Sequence, residues 1–219
     1  MRIHLKINAN GVTIPFNHQH MLTGTIHKWI GINDEHGKTS LYSFSRLEGA
    51  IKYNDELKFQ DQAYLFFSSI DEDLIKKLIS GIRTDNKLFN GLEVKEIIIQ
   101  EDPDLSDRSL FLAASPILIK RLENNSVRHI LYNEPNAGTY LKETINKKME
   151  ISGLDIDDSL EIKFDCSNSS SKTMMISYKG IMNRVSWCPV FISANSETKK
   201  FIWNVGLGNS TGIGLGAIR

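Results

Sequence analysis

Residues 2–7, RIHLKI, alternate polar and apolar side chains, a period of two that predicts a first strand. The period then lengthens. In IPFNHQHMLTGTIHKWIG, Met21, Leu22, Ile26, Trp29 and Ile30 form an apolar stripe at helical spacing, Pro15 and Asn17 mark the start, and Gly31 suits the C-terminal cap. SLYSFS and, after a polar stretch, AYLFFSS predict two more strands. DEDLIKKLISGIR carries acids in its first turn and apolar residues at Leu74, Ile75, Leu78, Ile79 and Ile82, the pattern of an amphipathic helix. LEVKEIIIQ closes the series as a strand. The order βαββαβ is that of a ferredoxin-like unit.

The acidic, proline-containing QEDPDLSD is the best linker, and it divides the chain into an N-terminal domain, residues 1–105, and a C-terminal domain, residues 106–219. The second half opens with SLFLAASPILIKRL, a strand stopped by Pro116, and has a short segment near 127–132 and a helix in NAGTYLKETINKKMEISG. SLEIKFD, KTMMISYKG, CPVFISA and KFIWNVGLG are strand candidates, with TGIGLGAIR as one more. This order fits a second ferredoxin-like unit whose second helix is reduced. The fold class is therefore α+β, two tandem ferredoxin-like (RRM-like) βαββαβ domains, the second strand-rich. No close internal repeat supports the duplication, which rests on element order.

Composition adds that the chain is globular: 41% of its residues are hydrophobic and 24% charged, near the averages of folded proteins. Twenty-six basic residues balance twenty-six acidic ones, so the whole-molecule field steers it toward neither nucleic acid nor membrane, and a basic footprint must be a local patch. Cys166 and Cys188 are too few for a disulfide scaffold or a zinc site, which points to the reducing cytoplasm. No run approaches the roughly 20 apolar residues of a membrane span, so a soluble protein with no membrane partner is expected.

GLGNSTGIGLGAIR, residues 206–219, holds five glycines and touches three known motifs. GNSTG has the spacing of a nucleophile elbow, but no acid or histidine follows it. A dinucleotide fingerprint would need glycine where Thr211 stands, and a helix after it. A phosphate-binding P-loop would need Gly-Lys-Ser/Thr. What is left is two pairs, Gly206 with Gly208 and Gly214 with Gly216, flanking a tip of Asn209, Ser210, Thr211 and Gly212. Such glycines either let a phosphate backbone approach main-chain N–H groups or allow tight packing in a hairpin between two sheets.

On the first helix His20 and His27 lie seven residues apart, within about 20° of one another around the axis, with Gly24 between them. His36 and Lys38 follow in the polar loop NDEHGKTS. Histidine exchanges protons near neutral pH and lysine can stabilise a developing negative charge; plain solvent exposure is the alternative for all of them. His18-x-His20 could seed a metal site, but no third ligand stands at a typical spacing.

Together IPFNHQHMLTGTIHKWI, SLYSFS, LAASPILIKR and GLGNSTGIGLGAI resemble, in order along the chain, four stretches of the CRISPR-associated endoribonucleases of the Cas-six type. The last matches the family's glycine-rich loop, G-x-G-x5-G-x-G. The resemblance implies tandem ferredoxin-like domains and cleavage of CRISPR repeat precursor RNA into guide RNAs. No metal or cofactor takes part: the ribose 2′-hydroxyl attacks the adjacent phosphorus and leaves a 2′,3′-cyclic phosphate. It gives His27 the base role and His36 the acid role, the two being exchangeable with His20 as the reserve histidine, and Lys38 charge stabilisation. RNA contacts fall to Gly206, Gly208, Asn209, Ser210, Gly212, Gly214 and Gly216, with Lys172, Lys179, Arg184, Lys199 and Lys200 as further phosphate contacts. Repeat RNA is the implied partner, a CRISPR effector complex a further one, and the chain would act as a monomer or homodimer. A non-catalytic repeat-RNA-binding subunit is the alternative; His27, His36 and Lys38 favour the enzyme. This reading expects Gly208 and His27 to face one cleft.

Overall fold

The computed structural model describes residues 1–31 and 39–219. The alternation of RIHLKI becomes strand β1 (Arg2–Asn8), whose Ile3, Leu5 and Ile7 are buried. They stand opposite Phe67, Leu65 and Ala63 of the long antiparallel strand β5 (Glu56–Ser69). β2 (Thr13–Pro15), β3 (Tyr42–Phe44) and β4 (Glu48–Tyr53) also pair with β5, and β6 (Glu93–Gln100) covers the far edge of β1. Helices α1 (Gln19–Ile30) and α2 (Glu72–Thr84) bury their apolar stripes in the same core. Asp71 starts α2 by accepting from the amides of Asp73 and Leu74 at 2.8 and 3.2 Å.

In the second half β7 (Leu110–Phe111), β10 (Glu161–Phe164) and β13 (Val190–Ser193) form a sheet in the order β10-β13-β7. The last residues extend it: Leu112 and Arg219 exchange amide-to-carbonyl bonds of 2.8 Å, and Ala113 pairs with Ile218. Helix α3 (Ala137–Ile151) runs between β7 and β10, and α4 (Ser196–Val205) follows β13 and precedes the closing residues that extend the sheet. This is the second ferredoxin-like order. Two hairpins are inserted in it, β8–β9 (Ile119–Glu123, Ser126–Ile130) and β11–β12 (Lys172–Tyr178, Ile181–Trp187), and backbone bonds of 2.8 Å between Ile117 and Ser186 tie them together.

Two expectations fail here. KFIWNVGLG is not a strand: Lys200 to Val205 belong to α4, so the second helix is not reduced. Its aromatic and branched residues imitate a strand, but Asn195 caps Thr198 N–H at 2.8 Å and Phe201, Ile202 and Val205 bury one helical face. Nor is the glycine segment a hairpin; it leads from α4 through a single 3-10 turn, Thr211–Ile213, to the closing residues that pair with Leu112 and Ala113. β4 and β12 escaped the pattern reading because their burial follows neighbours in space.

The C-terminal end of α4 is seated on the first sheet. Arg2, buried on β1, lies between the rings of Phe66 and Trp203 at 3.8 and 3.7 Å. It donates to Ser68 Oγ at 2.6 Å and to the carbonyls of Trp203 and Ile218, both at 2.9 Å. Burial pushes its pKa down to about 9, so it is still charged at neutral pH. Ser43 Oγ donates to Asn204 O at 3.0 Å, which brings β3 beneath the start of the glycine segment.

Candidate functional site

The glycine segment is gripped from several sides. Leu207 N–H donates to Gly216 O and Gly216 N–H to Pro116 O, each at 2.8 Å, while Asn209 N–H donates to Leu118 O at 2.7 Å. Gly206, Gly208, Gly214 and Gly216 all have φ between 71 and 79°. A Cβ on Gly216 would fall on Leu207 O, one on Gly208 on Leu118 O, and one on Gly214 on Gln19 Nε2 and the Phe44 ring. These positions need both the left-handed backbone and the missing side chain. Thr211 and Gly212, expected at the tip, are buried; Asn209 and Ser210 are the half-exposed tip residues. Asn209 Oδ1 accepts from Lys120 N–H at 2.7 Å, and Ser210 holds φ 62° without being glycine.

Helix α1 meets this segment along one face. Gln19 Nε2 and Thr23 Oγ1 donate to Ile213 O at 2.7 and 3.3 Å. One turn further His27, half-buried, places Nε2 3.2 Å from Tyr42 Oη, and Tyr42 donates to Gly212 O at 3.4 Å. His20 is exposed with its Nδ1 2.9 Å from Asn17 O, and nothing lies within 4 Å of where a Cβ on Gly24 would be. His18 is buried before the helix, and burial lowers its pKa. His36 and Lys38 lie outside the described residues.

Beside the segment opens a cavity of about 560 Å³, lined by Ser40, Lys120, Lys147, Lys148, Gly208 and Ser210 among others. His27 is not among its described lining residues and reaches the segment through Tyr42. Lys120 of this lining also stands near His129 and Arg184: burial first, then the charges of Lys120 and Arg184, lower the His129 pKa. Such crowding of cations favours an incoming anion. Lys148 is buried at the cavity wall and donates to Val205 O at 2.9 Å, Gly206 O at 3.1 Å and Thr211 Oγ1 at 3.2 Å. Burial pushes its pKa down to about 7, while the carbonyls at the negative end of α4 favour the ammonium.

Lys120, Lys147 and Lys148 escaped the sequence reading. One signal existed for Lys148, which continues the helical stripe of Leu141 and Ile145 where an apolar residue is expected. Of the cations that were singled out, Lys199 is buried and donates to Ser106 O at 2.7 Å, and Lys200 pairs with Glu197 at 3.0 Å. Lys172, Lys179 and Arg184 stand exposed on the β11–β12 hairpin. Among the described residues no three His, Cys, Asp or Glu gather as a metal site, and no helix is long and apolar enough to cross a membrane.

Known proteins share this fold. The chain is 24% identical to the CRISPR-associated endoribonuclease Cas6 1 of Methanocaldococcus jannaschii over 100% of its own length and 92% of that protein's. A solved CRISPR-associated protein Cas6 superposes with a TM-score of 0.85 at 22% identity, covering 100% of this chain and 98% of that one. A solved Cas6-related protein from Pyrococcus furiosus gives 0.85 at 21% identity, covering 100% and 97%. A RAMP protein described as binding different RNA substrates also gives 0.85, at 21% identity, covering 100% and 98%. The family model "CRISPR associated protein Cas6, C-terminal" matches residues 99–219, more than half of the chain and all of the glycine segment. With that match and two tandem ferredoxin-like units, this chain belongs to the Cas6 family of CRISPR-associated proteins.

Proposed function

We propose that this protein is a metal-independent endoribonuclease that cuts CRISPR repeat precursor RNA into guide RNAs, and that its two units divide at residues 105 and 106. The observation that carries the reading is the contact chain from His27 through Tyr42 to Gly212, which joins a titratable side chain to the glycine segment beside a basic cavity. His27 takes the proton of the ribose 2′-hydroxyl, whose oxygen attacks the adjacent phosphorus; the P–O5′ bond breaks, leaving a 2′,3′-cyclic phosphate. His36 protonates the departing O5′ and Lys38 offsets charge on the pentacoordinate phosphorus. The RNA backbone runs over Gly208, Asn209 and Ser210 with Lys120 and Lys147 beside it. Gly206, Gly212, Gly214 and Gly216 serve by holding that surface in shape.

The name of the Methanocaldococcus relative, an endoribonuclease, supports the reading, as does the RNA-binding RAMP protein of the same fold. The test is incubation of the purified chain with its cognate repeat RNA in excess EDTA. One cut leaving a cyclic phosphate is expected, and a 2′-deoxy sugar at the cut site should abolish it. His27→Ala should slow cleavage by about 10²–10⁴-fold, the usual contribution of a general base. RNA bound tightly but never cut would select the non-catalytic RNA-binding subunit instead.

A further inference from the structure

We propose that Cys166 and Cys188 are a reversible thiol–disulfide pair, oxidised by a small disulfide such as glutathione disulfide, whose bond fastens the base of the β11–β12 hairpin. Along the chain the two are well separated and flank that hairpin, Cys166 ahead of Lys172 and Cys188 directly after Trp187. The antiparallel ladder brings them together. Phe164 of β10 stands opposite Val190 of β13, and Asp165 N–H donates to Pro189 O at 2.9 Å, so the next positions to meet are Cys166 and Cys188. The ladder ends there, where Cys166 N–H turns back to Phe164 O at 3.0 Å. Cys188 Sγ lies 3.5 Å from Asp165 O, the carbonyl of the peptide bond that leads into Cys166. In a regular antiparallel pair facing Cα atoms are about 4.5–5.5 Å apart, within the span of a disulfide.

The two thiols differ in the way such an exchange needs. Cys166 is exposed, with its Sγ 3.6 Å from Tyr132 O, whereas Cys188 is wholly buried and accepts from Ser171 Oγ at 3.1 Å. Burial raises the Cys188 pKa; the Ser171 bond opposes that rise, and a charge on Cys166 adds to it, a second mark of their nearness. Cys166, as the thiolate, attacks one sulfur of the glutathione disulfide, forming a mixed disulfide and releasing a glutathione thiolate. Cys188 then gives up its proton and attacks the Cys166 sulfur, which expels the second glutathione. Two protein thiols are oxidised, one glutathione disulfide is reduced to two thiols, and the two thiol protons end on them. The hairpin closed in this way packs Met174, Ile176 and Val185 against Leu118, Ile213 and Leu215, so oxidation limits its freedom to part from the glycine segment.

The test is equilibration of the folded full chain in glutathione buffers of graded thiol-to-disulfide ratio, followed by acid quenching, alkylation and mass spectrometry of its peptides. The expected product is a single chain with Cys166 joined to Cys188, which regains both thiols in dithiothreitol. Its equilibrium constant should exceed that of the urea-unfolded chain by at least about tenfold, because a bond that stabilises the fold is in turn favoured by the fold. Cys188→Ser should stop at one glutathione on Cys166, and Cys166→Ser should react at least about tenfold more slowly, since its remaining thiol is buried. A native protein that stops at glutathione on Cys166, that joins two chains through Cys166, or that oxidises no more favourably than the unfolded chain would overturn the proposal. Those three readouts use the native protein, so neither serine variant has to fold.

Discussion

Each ferredoxin-like unit needs a connection from its second helix to its last strand, and the two in this protein are built in opposite ways. Residues 85–92 join α2 to β6 as a surface turn, with Asn90 and Gly91 in the left-handed region and nothing within 4 Å of where a Cβ on Gly91 would lie. Residues 206–216 do the same work after α4 and are almost wholly buried, pressed against Gln19, Ser40, Tyr42 and Phe44 of the other unit. Both connections use left-handed residues to turn the chain. In the first the turn lies open to solvent at Gly91; in the second the glycines also clear space for neighbours in the other unit.

The sharpest way to break this comparison is to add the same methyl group to both. Gly216→Ala should destabilise the protein by at least about 3 kcal/mol, since backbone must move to admit the Cβ, whereas Gly91→Ala should cost about 1 kcal/mol for its left-handed backbone alone. Urea unfolding of both variants decides it; equal losses would mean the burial of residues 206–216 is inconsequential.

Lys148, buried where Lys28 donates to Lys87 O of the first connection from the exposed surface, should give the second connection a pH dependence of its own. Its folded pKa of about 7 lies below the ordinary 10.5, so between those values the unfolded chain binds the extra proton and stability rises with pH. The slope is at most about 1.4 kcal/mol per pH unit. Subtracting the unfolding free energy of Lys148→Met from that of the native protein across this range should reveal the rise, and a flat difference would count against it.

Smaller effects concern the cavity. Lys120→Ala and Lys147→Ala should each weaken RNA binding evenly across sequences and lower the salt slope of log affinity by about 1, read from filter binding at several salt concentrations. Smallest of all, Ser210→Gly and Asn90→Gly, at φ 62° and 53°, should each leave stability within about 0.5 kcal/mol. Ser210→Gly alone should reduce RNA affinity.

Much of the first unit was legible because its cues are local. β1 alternates, α1 and α2 carry apolar stripes, and Asp71 stands where a cap belongs. The same cues misled at Phe201 to Val205, where aromatic and branched residues favour a strand locally and burial against the second core makes a helix. Residues 206–216 follow a helix and contain a single 3-10 turn, a context that a nucleophile elbow, a dinucleotide fingerprint or a P-loop, each a strand-to-helix turn, does not have. Yet the pattern of glycines alone left an open anion cradle and close packing as alternatives, because it does not show what a Cβ would meet.

Sequence by itself determined the periods of the strands and helices, the βαββαβ order of the first unit, and the residue types able to exchange protons or turn the chain, since these depend on residues within a few positions of each other. Tertiary structure decided which of them meet. Lys148 reaches Val205 across 57 positions and Tyr42 reaches Gly212 across 170. Packing of two separate cores brings such groups together, and no spacing along the chain encodes that.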